Sequence, residues 1–204
     1  LQTILKEINL LASGKADKME VDTAYFGGGT PSSLLPEEIE LILSRLEENF
    51  NCNLEEITLE FNPGSHTQKL AEFKQAGINR LSVGAQSFSG KVLKTLGRLH
   101  SVEDIFAAAR EARKAGFKNL SLDLMIGLPG EDESTFEANI RGIKTICPEH
   151  LSVYMLEELE EVPFKKIWEK SPVSEDKLVE TYERYQNILP ELGYEQYEIS
   201  NYSW

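Results

Sequence analysis

Residues 120–126 read LSLDLMI, and the order of side chains in that run decides the fold. Successive side chains of an extended strand point to opposite faces. Leu120, Leu122, Leu124 and Ile126 therefore share one face, and Ser121, Asp123 and Met125 share the other. The same division recurs at 57–60, where Ile57 and Leu59 oppose Thr58 and Glu60. It recurs again at 81–86, where Leu81, Val83 and Ala85 oppose Ser82, Gly84 and Gln86. A strand covered by helices on both faces would be apolar throughout. One apolar face and one small or polar face, several times over, is the signature of a barrel with helices outside and a partly polar lumen.

Working outward from 120–126, β-rich runs fall at 22–26, 56–61, 79–85, 119–126, 150–156 and 194–199. Helical patterns separate them at 36–50, 66–76, 101–115, 134–146 and 174–192. Pro36 opens a first turn, and Ser65-x-x-Gln68, Ser101-x-x-Asp104 and Ser134-x-x-Glu137 have the form of capping boxes. Gly77, Gly116 and Gly193 close other helices. Strand-helix repetition with short connections predicts parallel strands joined by right-handed crossovers. An open doubly wound sheet and a barrel both satisfy it, and the alternation selects the barrel.

At 204 residues the chain is long enough for one good core, and no linker divides it, so 1–204 reads as a single domain. No apolar run reaches the roughly 18 residues of a membrane span, and the sequence as given does not open on a charged-then-apolar leader pattern. A cytoplasmic protein is the expectation. The net charge is −13, and residues 149–204 carry 13 acids against 5 bases. Such a segment repels a phosphate backbone, so nucleic-acid binding is not expected. LQTILKEINLL begins in mid-helix without methionine, and EISNYSW stops abruptly, which suggests a fragment truncated at both ends.

The triple glycine of YFGGGTPSSL (25–34) needs a reason, because glycine costs backbone entropy. No Walker lysine follows it, and a dinucleotide fingerprint fails at Ser32. The loop follows a strand, as do the late-strand residues Glu60, Gln86 and Asp123, so all converge on the C-terminal mouth of a barrel. Arg98 lies beyond Gln86 on the same side. Bare glycine backbone, two carboxylates, an amide and an arginine suit a zwitterionic, polyhydroxylated ligand. Arg98 can fork onto a carboxylate, and Asp or Glu can accept from ribose hydroxyls. Cys52 and Cys147 each precede a strand, at the opposite end, and read as ordinary reduced cysteines. The same position demotes His150. His100 falls near the site, and His66 reads as surface.

YFGGGTPSSL (25–34), ITLEFNPG (57–64), NRLSVGAQSF (79–88), LGRLH (96–100), SLDLMIGLPGE (121–131) and PEHLSVYMLE (148–157), in this order, resemble the oxygen-independent coproporphyrinogen III oxidase family of radical S-adenosylmethionine proteins. GYEQYEISNY (193–202) resembles the heme-chaperone branch of that family. The resemblance covers nearly the whole chain. It implies an α/β fold, a partial (β/α)6 TIM-like radical SAM barrel with its first strand missing. It implies S-adenosylmethionine at the mouth, with Gly28, Gly29 and Thr30 at its methionine amino group and Glu60, Gln86, Arg98 and Asp123 around its carboxylate and ribose. It further implies a [4Fe-4S] cluster on a Cys-x-x-x-Cys-x-x-Cys loop, which this sequence lacks, so the chain alone is expected to hold no cluster and no other metal, and to have no radical activity. Val162, in EEVPF, stands where relatives carry threonine.

Two functions follow from the resemblance. A heme chaperone would bind heme and hand it to an acceptor protein. An oxidase would decarboxylate porphyrinogen propionates by radical chemistry. EISN favours the chaperone. A barrel hydrolase is disfavoured, since the motifs hold neither a nucleophile-base pair nor a His-rich metal set.

Overall fold

The computed structural model describes residues 1–13, 18–156 and 172–204. Val162 lies outside the described residues. Seven strands form one curled half-barrel sheet. In chain order these are β1 (Glu20–Phe26), β2 (Asn51–Phe61), β3 (Arg80–Gln86), β4 (Asn119–Ile126), β5 (His150–Met155), β6 (Glu195–Gln196) and β7 (Asn201–Ser203). Their spatial order is β1-β2-β3-β4-β5-β7-β6, and β1 to β5 are parallel throughout.

The convex face is the apolar one. Leu81, Val83, Leu120, Leu122, Leu124, Ile126, Leu151 and Val153 are all fully buried. Helices lie over them: α2 (Pro36–Asn49), α3 (Leu70–Gln75), α5 (Val102–Lys114), α6 (Glu133–Ile146) and α7 (Glu175–Glu191). α1 (Gln2–Ser13) packs Leu5 and Ile8 against Ile42 and Phe50 in a smaller cluster. Full burial of a Leu or Ile side chain contributes about 1.5–3 kcal/mol, so this shared face is what fixes the strand register. A slip of one residue would present Ser82 and Asp123 to the helices instead.

Local signals succeeded where the structure gives them a partner. Ser101 accepts from the Asp104 amide while the Asp104 carboxylate accepts from the Ser101 amide, a complete capping box at the start of α5. Ser65 does not cap: its hydroxyl donates to the Asn62 carbonyl, and His66 takes the left-handed conformation before a short 3-10 turn. At α6 the cap is Asp132, two residues before the expected Ser134, and it accepts from the Thr135 amide. A six-residue helix, α4 (Gly90–Thr95), went unforeseen.

The last expected strand, 194–199, divides. β6 and β7 form a hairpin, and β7 pairs antiparallel with β5, His150 opposite Ser203 and Ser152 opposite Asn201. Residues 197–200, which include EIS, are the turn. Glu198 accepts from the Ser200 amide and from Asn201 Nδ2, while the Ile199 carbonyl accepts from Tyr182 Oη and Gln196 Nε2. These local bonds reverse the chain before a sixth parallel strand can form.

Candidate functional site

The concave face of the sheet carries a ladder of polar side chains. Arg80, Ser82 and Gly84 on β3 stand beside Thr58 and Glu60 on β2, Ser121 and Asp123 on β4, and His150, Ser152 and Tyr154 on β5. A cavity of about 420 Å3 opens over this ladder, walled by Tyr25, Glu60, Arg80, Ser82, Asp123, His150, Ser152, Tyr154, Tyr197 and Asn201. A second cavity, of about 430 Å3, lies at the mouth between Thr30, Asn62, Gly64, Arg98, His100 and Asp104. Glu60 and Asp123 thus line the lumen, whereas Thr30 and Arg98 line the mouth cavity. Gln86 connects the two, because Tyr154 in the lumen donates its hydroxyl to Gln86 Oε1 at 2.8 Å.

The three consecutive glycines answer to two different constraints. Gly28 and Gly29 have φ of +80° and +65°, a region closed to most side chains, and a Cβ on either would meet open space. Gly27 is different. A Cβ there would fall 2.8 Å from the Tyr25 ring and 2.9 Å from Glu60 Oε1. The Gly28 amide then donates to Glu60 Oε2 at 3.2 Å, which ties the loop to the end of β2.

Gln86 is aimed by an irregularity. Pairing of β3 with β4 runs evenly from Arg80–Asn119 to Val83–Leu122, then resumes at Gln86–Leu124. The extra residue is a bulge, and Gln86 sits in it with φ +63°. A non-glycine residue held there costs on the order of 1 kcal/mol.

Arg98 donates from Nη2 to Asn62 Oδ1 at 2.7 Å and to the Gly84 carbonyl at 3.5 Å. It is half-buried, and burial pulls its pKa down. Among the described residues no carboxylate pairs with it. A half-buried guanidinium lacking a counter-ion leaves donors for an anion. His100 is buried behind it, with Nε2 3.3 Å from the Ala85 carbonyl. That carbonyl can only accept, so Nε2 carries a proton, and burial pulls the ring's pKa down. His100 lines the mouth cavity, while His66 is partly buried beside that cavity's Ser65.

Asp123 accepts from Ser82 Oγ at both carboxylate oxygens, 3.0 and 2.9 Å. Burial pushes its pKa up to about 6, against the opposing pull of Ser82 and Arg80; Glu60 adds to the rise. His150 sits at the start of a strand, away from the mouth, yet its ring points into the lumen. Nδ1 lies 2.8 Å from Ser121 Oγ and Nε2 lies 2.7 Å from Tyr197 Oη. Burial and Arg80 hold its pKa down at about 4.

These two shifts pull stability in opposite directions. Asp123, raised in the folded state, contributes stability below its unfolded pKa near 3.8 that is lost as pH rises through 6. His150, lowered in the folded state, costs stability as pH falls from 6.5 toward 4, since only the unfolded chain takes up that proton. Asp123→Asn removes the buried charge and keeps a polar group. We expect it to raise the melting temperature at pH 8 relative to wild type, with the gain shrinking toward pH 4. A melting series across that range measures it, and a gain that grows toward acid contradicts the assignment.

Cys52, at the start of β2, is partly buried, and Cys147, just past α6, is exposed with its thiol against the Lys144 carbonyl. Both lie at the strand ends remote from the glycine loop and Arg98. Among the described residues no three His, Cys, Asp or Glu side chains gather as a metal site. Two separated cysteines do not fit a [4Fe-4S] cluster. Among the same residues, no helix is long and apolar enough to cross a membrane.

A model of the Radical SAM superfamily matches residues 4–142, well over half the chain. The chain belongs to the radical SAM superfamily. Within it, the heme chaperone HemW of Bacillus subtilis is 35% identical over 202 residues, covering 96% of this chain and 53% of that protein. The mitochondrial radical S-adenosyl methionine domain-containing protein 1 of Danio rerio is 36% identical over 188 residues, covering 90% of this chain and 42% of its own length. Among solved structures, the radical SAM enzyme coproporphyrinogen III oxidase HemN from Escherichia coli superimposes with a TM-score of 0.85 at 27% identity, over 99% of this chain and 47% of that one. The chain spans about half the length of the curated relatives it matches. Superfamily membership implies S-adenosylmethionine and a [4Fe-4S] cluster as cofactors, and the half-barrel agrees with a partial radical SAM barrel.

Proposed function

We propose that this chain is the nucleoside-binding barrel, one domain over 1–204, of a heme chaperone, and that S-adenosylmethionine lies across the glycine loop and the two cavities. Arg98 carries the reading: a half-buried cation at the mouth, without a carboxylate among the described residues, awaits the carboxylate of an amino acid. Gln86 stands beside it. The Gly28, Gly29 and Thr30 backbone approaches the amino group, and Glu60 and Asp123 serve the ribose hydroxyls. Bound there, the nucleoside supplies a sulfonium centre for reductive cleavage. The three cluster cysteines would have to come from residues beyond these 204, since Cys52 and Cys147 are misplaced for it. What the chain's own residues do is bind, orient and exclude water.

Heme or a porphyrinogen is the proposed second ligand, on the similarity to HemW and HemN, with an acceptor protein to receive heme and the cytoplasm as its place of action. The protein should bind heme and release no carbon dioxide from coproporphyrinogen III. Heme titration by absorbance, paired with a carbon dioxide assay on the anaerobically reconstituted full-length protein that carries the cluster cysteines, tests this. Decarboxylation would favour the oxidase instead.

A further inference from the structure

Gly84 marks a point where donors of Gln86 and Arg98 converge. A Cβ built there would lie 3.1 Å from Gln86 Nε2, 3.4 Å from Arg98 Nη2 and 3.4 Å from Asn62 Oδ1. Asn62 Oδ1 already accepts from Arg98. Arg98 Nη2 gives its second hydrogen to the Gly84 carbonyl, so the donors left for an anion beside it are Gln86 Nε2 and the guanidinium's Nη1 and Nε. The carboxamide of Gln86 can face that space with its oxygen or its nitrogen, and the two are chemically opposite. An oxygen would satisfy Arg98 and close the site to anions. A nitrogen leaves two donors side by side, the pattern that receives a carboxylate.

What sets the choice is Tyr154. Its ring is on β5, and its hydroxyl reaches past β4 to meet Gln86 Oε1 at 2.8 Å. A phenol donates more strongly than it accepts, so it takes the amide oxygen and leaves the amide nitrogen facing Arg98. The bulge at Gln86 and its left-handed backbone bring the side chain within reach of Tyr154. We infer that Tyr154 is a positioning residue that fixes the Gln86 carboxamide with its donors toward Arg98, and so makes this end of the site selective for a carboxylate-bearing nucleoside. The inference rests on the nucleoside reading of the mouth and goes beyond it by naming what enforces the choice. Tyr154 touches Gln86, and the carboxylate is met by Gln86 and Arg98.

Tyr154→Phe removes the hydroxyl and keeps the ring. The probes are S-adenosylhomocysteine, which has the amino-acid carboxylate, and 5′-methylthioadenosine, which lacks it. By calorimetry Tyr154→Phe should weaken S-adenosylhomocysteine about tenfold and leave 5′-methylthioadenosine within about twofold, at an unchanged melting temperature. In a Gln86→Ala background the same substitution should have no further effect, since its target is gone. Unchanged affinity for S-adenosylhomocysteine overturns the inference while the nucleoside reading stands. Equal weakening of both probes, or a persisting effect in the Gln86→Ala background, also overturns it, because the hydroxyl would then act on the fold generally. If the wild-type protein binds neither probe, the nucleoside reading fails and takes this inference with it.

Discussion

Asn139→Ala should lower the melting temperature by roughly 10 °C, the largest single effect expected in this protein. Asn139 is fully buried in the middle of α6. Its Oδ1 accepts from the Phe88 amide at 2.7 Å and from Ser87 Oγ at 3.3 Å, while Nδ2 donates to Tyr185 Oη at 2.9 Å. One side chain thus joins the exit of β3, helix α6 and helix α7. Alanine strands a buried amide and a buried phenol, each costing about 1–3 kcal/mol, and leaves a small void besides. In a chain of this size about 1 kcal/mol moves the midpoint by roughly 2–4 °C. Tyr185→Phe removes one of the three bonds and strands only Asn139 Nδ2, so it should cost less. Differential scanning calorimetry on the two variants decides, and a drop of only 1–2 °C for Asn139→Ala would mean that water replaces the amide. Because Ser87 and Phe88 directly follow Gln86, nucleoside affinity should fall as well.

Arg98→Lys should weaken S-adenosylmethionine by tenfold to a hundredfold at nearly constant melting temperature. Lysine keeps the charge and can reach one of the present acceptors, the Asn62 amide oxygen or the Gly84 carbonyl. It cannot make those bonds and also fork onto a carboxylate, which takes the planar guanidinium. Were Arg98 merely tethering Asn62, lysine would hold affinity within about twofold and lower stability instead. Affinity by calorimetry and melting on the same two proteins separates the cases.

Much of this was legible before any coordinates, for a physical reason. The convex face buries every second side chain, so Leu120, Leu122 and Leu124 betray the period and place Asp123 opposite them. Glu60 and Gln86 follow from the same parity. That rule also covers His150, which alternates with Leu151 and Val153, although its place at the head of a strand argues against a role at the mouth. Depth along a strand and direction across it are separate coordinates, and the second brings His150 to the cavity. Other features leave no local trace. Asn139 looks like any polar residue on an amphipathic helix, since its partners lie 46 to 52 positions away. The bulge at Gln86 and the link to Tyr154 are tertiary facts. Helix α4, with only Val92 and Leu93 buried, is too short to show a period.

The hairpin that ends the sheet gives the lumen an order of assembly. β1 to β5 join neighbours along the chain, but the cavity floor is completed by Tyr197 and Asn201, which reach back about fifty residues to His150 and Ser152. The pairings of that hairpin are the shortest in the sheet, so the barrel wall can stand before its floor exists. β7 carries three residues and β6 two, against eight in β4. That flap is the natural unit of partial opening. Its amides should exchange with deuterium well ahead of those in β4, and each such opening would wet His150 and let its ring take up a proton that the closed lumen refuses.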